Sequence, residues 1–490
     1  MASEPALEPA PQDYPARVLA PGQVVDQFRI EEHLHQGGMA QVWRVSRLDR
    51  PDDPMPLVMK VPRIMGGEDP ASIVGFEVEQ MIMPLLKGLH VPAFVARGDF
   101  TQAPYIVMER IDGPSLRPRL DAAPLPVAEV VDIGIRVATA LHDLHRQHLV
   151  HLDVKPSNIM FRRQPDGTLA EAVLVDFGLS RHDQLPDLLD EEFTLPMGTG
   201  PYISPEQVQF VRNDPRSDLF ALGVMLYHLL TGERPFGHPT SVSGLRRRLY
   251  EEPEPPRALR PDCPPWLQEL ILRCLEVRAE RRHPSAAQLA LDLQHPQQVA
   301  LTERAQRVRT SGTWATLRRR FAAVGAEPAG TRGAAEQAQR NPIVVAALDV
   351  ENAPAALLDM LRDTVRRFLH DGGSTRLACV SVMKTARIGM DELTDAQGRS
   401  RHVKQLVALK HWARPLAREL GLGDGRLTFH VLEAPDAAEA IVEFAQRNQV
   451  DHVIMGARGA SALRRYLGSV SSQVVAQSSC TVTVVRAPAE

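Results

Sequence analysis

Residues His151–Met160 read HLDVKPSNIM, and their polar groups have no place inside an ordinary helix or strand. Pro156 falls between Lys155 and Asn158, so the segment is a loop that gathers an acid, an amine and an amide oxygen at Asp153, Lys155 and Asn158. Such an aspartate can orient or deprotonate a hydroxyl, the ammonium can offset charge on a transferred group, and the amide oxygen can ligate a divalent ion. These are the needs of phosphoryl transfer, which asks for positioning and charge neutralisation more than for covalent chemistry.

Other parts of such a site lie outward along the chain in a workable order. VLVDFGLS, Val173–Ser180, places Asp176 at the end of an apolar strand, where its carboxylate can bind Mg²⁺ bridging phosphates. PLVMKVPR places Lys60 within an apolar strand, a position that demands a carboxylate or a phosphate. Glu79 in FEVEQMIM, on a helical insert over about 72–86, is the expected partner, with Glu77 as the competing choice. LHQGGMAQVWRV, Leu34–Val45, has the form of strand, glycine turn and return strand. Gly37 and Gly38 there let backbone amides approach phosphates, although alone the stretch is only a hairpin.

Taken as an ordered set, these motifs make residues 25–295 resemble a bacterial, eukaryotic-like Ser/Thr protein kinase catalytic domain. The resemblance implies an α+β bilobal fold with an N-lobe over 25–111 and a C-lobe over 112–295. It implies Asp153 as the catalytic base, Lys155 as the mark of Ser/Thr acceptors, and Lys60, paired with Glu79, on the α and β phosphates of ATP. Asn158 and Asp176 would hold Mg²⁺ or Mn²⁺. Gly37 and Gly38 would cover the phosphates, and Val42, Val58 and Met160 would line the nucleotide. PYIVMERIDGPSL resembles the hinge, with Met108 as gatekeeper and the backbone of Glu109 to Ile111 facing adenine. GTGPYISPEQ resembles the end of the activation segment, with Thr199 near the acceptor and Glu206 expected to pair with Arg282. Asp218 resembles the anchor of the catalytic loop.

Some residues depart from that pattern. His35, Gly37 and Ala40 stand where the family has three glycines. Val58 crowds the adenine face. Leu152 replaces the arginine that, in members switched by activation-loop phosphorylation, pairs with the phosphate. The implied reading is a working enzyme switched by another route, with Ser180, Thr194 and Thr199 as autophosphorylation candidates. The alternative is a pseudokinase scaffold that binds nucleotide or partners without turnover. The acidic run DLLDEE, Asp187–Glu192, in the activation segment reads as a solvated loop, with built-in charge for that segment as the competing reading. His142, His145, His148 and His151 approach a loop rather than share one helix face, which favours packing over a metal site.

From Pro342 the pattern changes. IVVAALDV, RLACVSVM, LTFHVLEA, DHVIMGA and CTVTVVRA alternate with helical segments, the signature of a parallel sheet with crossover helices. The ending VDHVIMGARGASALRRYLGSVSSQVVAQSSCTVTVVRA makes residues 341–487 resemble a universal stress protein domain, an α/β Rossmann-like fold. That implies a second nucleotide site at Asp349, Gly456, Gly459, Gly468 and Ser469, and homodimerisation through this domain. The family's spacing has nine residues between the second glycine and the Gly-Ser/Thr pair; here Ala460–Leu467 supply eight. Members without ATP use the same fold for assembly.

The 490 residues exceed one compact core and suit two or three domains. A net charge of −4 gives no global pull toward nucleic acid or anionic membrane. Residues 1–24 form a Pro/Ala-rich tail, expected to be disordered, without the apolar core of a signal peptide. Residues 296–340 read as a basic Ala/Gly/Arg-rich linker; lacking aromatic interleaving, it does not suggest a nucleic-acid interface. No apolar run is long enough to span a bilayer. Cys263, Cys274, Cys379 and Cys480 are too scattered for a disulfide framework, so reduced thiols and a cytoplasmic location are expected.

Overall fold

The computed structural model describes residues 19–37, 40–63, 69–101, 103–164, 168–309, 341–370, 375–385, 394, 400–457 and 468–486. The expected tail before residue 19, the linker from residue 310 to 340, Gly38 and Gly459 lie outside these residues.

Six strands open the chain: β1 (Val24–Val25), β2 (Phe28–Gln36), β3 (Ala40–Arg47), β4 (Leu57–Pro62), β5 (Phe94–Gly98) and β6 (Tyr105–Glu109). They form one antiparallel sheet in the order β1-β2-β3-β4-β6-β5. Strand alternation divides β4 between its two faces. Leu57 and Met59 join a core with Phe28, Ile30 and Trp43, while Val58 faces the other way and packs with Ile73 and Phe76. Lys60 shares the face of Val58, so its amine points at helix α1 (Pro70–Ile82). Asp69 caps that helix by accepting from the Ala71 amide at 3.0 Å, with Pro70 in the first turn, where its missing N–H is harmless. Helix α1 is buried nearly all round, which requires cover on both its sides.

The next lobe is mainly helical: α2 (Arg117–Asp121), α3 (Val127–Arg146), α4 (Leu188–Glu192), α5 (Pro205–Val208), α6 (Arg216–Thr231), α7 (Val242–Arg246), α8 (Pro256–Leu259), α9 (Pro265–Cys274) and α10 (Ala286–Gln294). Two small antiparallel pairs cross it, β7 (Leu149–Val150) with β10 (Arg181–His182) and β8 (Ile159–Arg163) with β9 (Leu169–Leu174). Helix α6 is its buried spine and stops at Gly232, whose φ of 79° suits a left-handed cap.

The linker expected over 296–340 begins as part of this lobe. Helix α11 (Glu303–Gln306) returns to α9: Arg304 reaches Glu269 at 2.9 Å and Glu276 at 2.8 Å, and Gln268 donates to the carbonyls of Arg304 and Arg307. Composition alone hid this, because the arginines that read as solvated are anchored by carboxylates far back in the chain.

The last domain is a five-stranded parallel sheet, with β11 (Ile343–Ala347), β12 (Arg376–Lys384), β13 (Leu427–Ala434), β14 (His452–Ala457) and β15 (Thr481–Arg486) in the order β13-β12-β11-β14-β15. Its helices are α12 (Ala355–His370), α13 (Arg401–Leu420), α14 (Ala437–Arg447) and α15 (Ser469–Gln477). The strand order reverses beside β11, which opens the crevice where sheets of this kind take ligands. Both expected architectures are present, the α+β bilobal unit and the α/β parallel-sheet domain. No helix among the described residues is long and apolar enough to cross a membrane.

Candidate active site

Lys60 is the centre of the site. Its ammonium donates to Glu79 Oε2 at 2.5 Å and to Asp176 Oδ1 at 2.7 Å, joining β4, α1 and the segment after β9. Register explains the reach: Lys60 lies opposite Val42 on β3 and Ile106 on β6, mid-sheet above the lobe boundary. Burial alone would lower the pKa of this ammonium, but Asp176 and Glu79 more than reverse the effect. The Lys60 charge in turn holds the Asp176 carboxyl at about 2. Glu79, with its side chain only 1% exposed, is pushed upward by burial against the pull of Lys60.

The choice between Glu77 and Glu79 follows from helix geometry. Residues two apart on an α-helix lie about 200° around its axis, so only one of them can face the strand. Glu79 faces Lys60; Glu77 faces away and meets Lys410 of α13 at 2.5 Å.

Asp153 lies below. Its Oδ1 accepts from the Thr199 hydroxyl at 2.7 Å and the Thr199 amide at 3.1 Å, and its Oδ2 from Lys155 at 2.6 Å and Asn158 Nδ2 at 3.2 Å. Asn158 also donates to the Asp153 carbonyl, which ties the loop to itself. Asp218, at the start of α6, holds this loop from beneath by accepting from the amides of His151 and Leu152 and by facing His145 Nε2. Leu152 and Asp176 have φ of 63° and 69°, a left-handed backbone that disfavours side chains by about 1–2 kcal/mol. The Asp218 carboxylate and Gln207 Nε2, which donates to the Leu152 carbonyl, hold the first of these in place.

Among the hinge candidates, Met108 and Val58 are cross-strand partners and both are buried. The Glu109 side chain turns toward Arg162, which grips it with two nitrogens, so only its backbone is available to the cleft. Ile111 is buried just beyond it, and Met160 bridges to Ser115 beneath the hinge. Gly37 begins the β2–β3 turn, its amide bonded to the Ala40 carbonyl at 2.9 Å. Glu206 and Arg282 form a buried bidentate pair at 2.5 and 2.7 Å.

Sequence reasoning missed the contact between Gly75 and Gly178. A Cβ at Gly75 would meet the Gly178 carbonyl oxygen at 3.0 Å, so α1 lies directly against the backbone after Asp176. The available signal was a glycine inside a helical pattern, which marks close approach. Gly75→Val should push α1 outward and cut any turnover about tenfold, as expected from about 1–3 kcal/mol of overpacking; the check is a rate comparison beside a thermal melt.

The acidic run Asp187–Glu192 is a correction. It is not a solvated loop: Leu188, Leu189 and Glu191 of α4 are buried, and Arg212 binds Asp187 at 2.9 Å. In the last domain, Asp349 follows β11 and accepts from Asn352, Gly456 lies on the adjacent β14, and Gly468 precedes Ser469 at the start of α15. Gly456 has a packing reason of its own, since a Cβ there would lie 2.8 Å from Leu357.

Two family models match the chain. The protein kinase domain model matches residues 73–296, and the universal stress protein family model matches residues 339–486. The chain joins a protein kinase domain to a universal stress protein domain. Serine/threonine-protein kinase pkn3 of Myxococcus xanthus is 35% identical over 281 residues, covering 54% of this chain and 49% of that protein. PknB of Mycolicibacterium smegmatis is 32% identical over 287 residues, covering 56% and 44%. The chain thus spans about half the length or less of these curated relatives. The crystal structure of the PknI kinase domain of Mycobacterium tuberculosis superposes with a TM-score of 0.44 at 25% identity, covering 57% of this chain and 99% of that one. The kinase match begins at residue 73, so the strands bearing Gly37 and Lys60 lie outside it.

Proposed function

We propose that the chain transfers the terminal phosphoryl group of ATP to serine and threonine hydroxyls of proteins, itself included. The observation that carries this reading is Lys60 held between Glu79 and Asp176, a half-buried cation in the cleft with one carboxylate fixing it and the other 40% exposed. Asp153 acts as the base that takes the acceptor proton. The Thr199 hydroxyl at 2.7 Å supports this, since it is an alcohol already within reach of that carboxylate. Lys155, tethered to Asp153, brings positive charge beside the transferred group. Val42, Val58, Met108 and Met160 offer apolar contact to the base, and the Glu109–Ile111 backbone offers its polar edge. The turn itself does not demand glycine at 37, where a Cβ would meet only ordinary contacts; close approach of phosphate is the reason that remains.

Asp176 and Asn158 are oxygen donors suited to a hard divalent ion such as Mg²⁺ or Mn²⁺. Few protein ligands with the rest from phosphate and water is the usual arrangement for Mg²⁺. When bound, the ion would neutralise phosphate charge. The stress-protein domain serves as a second nucleotide site or as the dimer contact, with edge strand β15 as the side open to another copy. The reducing cytoplasm suits its free thiols.

The test is to incubate the full chain with Mg-ATP and map the modified residues. Phosphate is expected on serine and threonine. Among the chain's own candidates Thr194 is favoured, being exposed, whereas Ser180 is buried and Thr199 is engaged by Asp153. ATP binding without any transfer would replace this reading with that of a scaffold.

A further inference from the structure

The stress-protein domain is seated on the two kinase elements whose positions set the active site. One is α1, which carries Glu79; the other is α4, within the segment leading to Thr199. The contact is charged and buried. Arg376 of β12 holds Glu191 of α4 with two nitrogens at 2.6 and 2.5 Å, and also donates to Thr428. His430 of β13 lies 2.8 Å from Glu192. Lys410 of α13 meets Glu77 on the outer face of α1, its ammonium also lying over the rings of Phe100 and Phe429. The backbone is gripped as well: Arg447 donates to the Phe193 carbonyl at 2.5 Å, at the end of α4.

The distribution of charge gives this contact its meaning. Glu77, Glu191 and Glu192 are buried carboxylates of the kinase domain, and the Lys410 ammonium, the Arg376 guanidinium and the His430 ring that face them all come from the other domain. Buried carboxylates without partners are costly, and removing one member of such a pair typically destabilises strongly. This kinase surface is therefore built to be covered. The covered state is also the one in which Lys60 holds Glu79 and Thr199 reaches Asp153.

We propose that the stress-protein domain is an intramolecular activator of the kinase domain, whose basic groups Arg376, His430 and Lys410 clamp the activation segment and α1 in the productive arrangement. The proposal rests on the kinase reading above. It also gives Leu152 a context: the acidic charge of the activation segment resides in Glu191 and Glu192, and the cations that answer it come from the second domain.

The test uses full-length protein carrying Arg376→Ala, Glu191→Gln or Lys410→Met, with two readouts: the initial rate of phosphate transfer, and hydrogen exchange of amides in α1 and α4. Each variant should lower the rate about tenfold, within the ~5–150-fold range usual for coupled sites, and should raise exchange in α1 or α4. Arg376→Ala combined with Glu191→Gln should be no slower than the worse single variant, because both break one pair. Lys410→Met combined with Glu77→Gln strands no buried carboxylate and guards against loss of folding. Rates unchanged or raised overturn the proposal. If the wild type transfers no phosphate, the kinase reading fails, and exchange still decides whether the clamp exists: unchanged protection in α1 and α4 overturns it.

Discussion

Lys60→Met should lower phosphoryl transfer by about 10²–10³-fold, the loss that follows removal of one preorganised charge from a transition state. The same change strands two carboxylates. Glu79 is buried and Asp176 owes its low pKa of about 2 chiefly to Lys60. Removing the cation should therefore also destabilise the fold by about 3–5 kcal/mol. Lys60→Arg separates the two effects. It keeps the charge between the carboxylates and should keep most of the stability, but a planar guanidinium cannot reproduce the point contact of an ammonium, so the rate should still fall. Steady-state kinetics and denaturant melts on the same preparations provide both numbers. A Lys60→Met protein within threefold of the wild-type rate would mean that the Lys60–Glu79–Asp176 trio is a structural brace and nothing more.

Arg282→Ala should destabilise the fold about as much as Lys60→Met. The side chain is 2% exposed, holds Glu206 with two nitrogens, donates to the Arg216 and Glu276 carbonyls, and lies 5.0 Å from the centre of the Phe220 ring. Its removal leaves Glu206 buried with only the Ser217 hydroxyl. Breaking such a pair costs about 3–5 kcal/mol, which in a domain of this size lowers the melting temperature by roughly 10 °C. Glu206→Gln should cost less, since the amide retains a hydrogen bond while removing the charge. Calorimetry on the full chain, following the kinase-domain transition, checks both. Equal melting of wild type and Arg282→Ala would show that the site relaxes around the loss.

What the sequence revealed and what it concealed have separate physical causes. The parts of the active site were visible because phosphoryl transfer restricts residue types at short spacings, as in Asp153, Lys155 and Asn158, and because a lysine inside an apolar strand needs a partner. The parallel sheet was visible because its strands are continuous apolar runs. Glu79 was the expected partner of Lys60, but the separate role of Glu77 was not visible, since both are buried and only the rotation of α1 against the sheet separates them. The run DLLDEE misled for a related reason. Acidic residues in a row normally mean solvent, and their partners here, Arg376 and His430, lie 185 and 238 residues further along the chain. Long-range ion pairs leave no periodicity to read. The same applies to Arg304, whose anchor at Glu269 turned part of an apparent linker into lobe.

Glu77 connects these observations. It was considered as a partner for the cleft, and instead it ties α1 to the neighbouring domain, so one helix faces the nucleotide cleft with Glu79 and the stress-protein domain with Glu77. If the proposed clamp sets the activation segment, no phosphate paired with an arginine at position 152, where Leu152 stands, is needed. The enzyme's output should follow whatever loosens or tightens the contact between the domains.

The central claim is that Asp153 and its neighbours form a working phosphotransfer site. The most direct measurement compares labelling from Mg-ATP by the full wild-type chain with labelling by Asp153→Asn, which keeps the shape of the side chain and removes its basicity. Serine and threonine labelling is expected from the wild type, with a loss of about 10²-fold or more in the variant and ATP affinity preserved. Equal labelling by the two proteins, or none by the wild type while ATP binds, would contradict it.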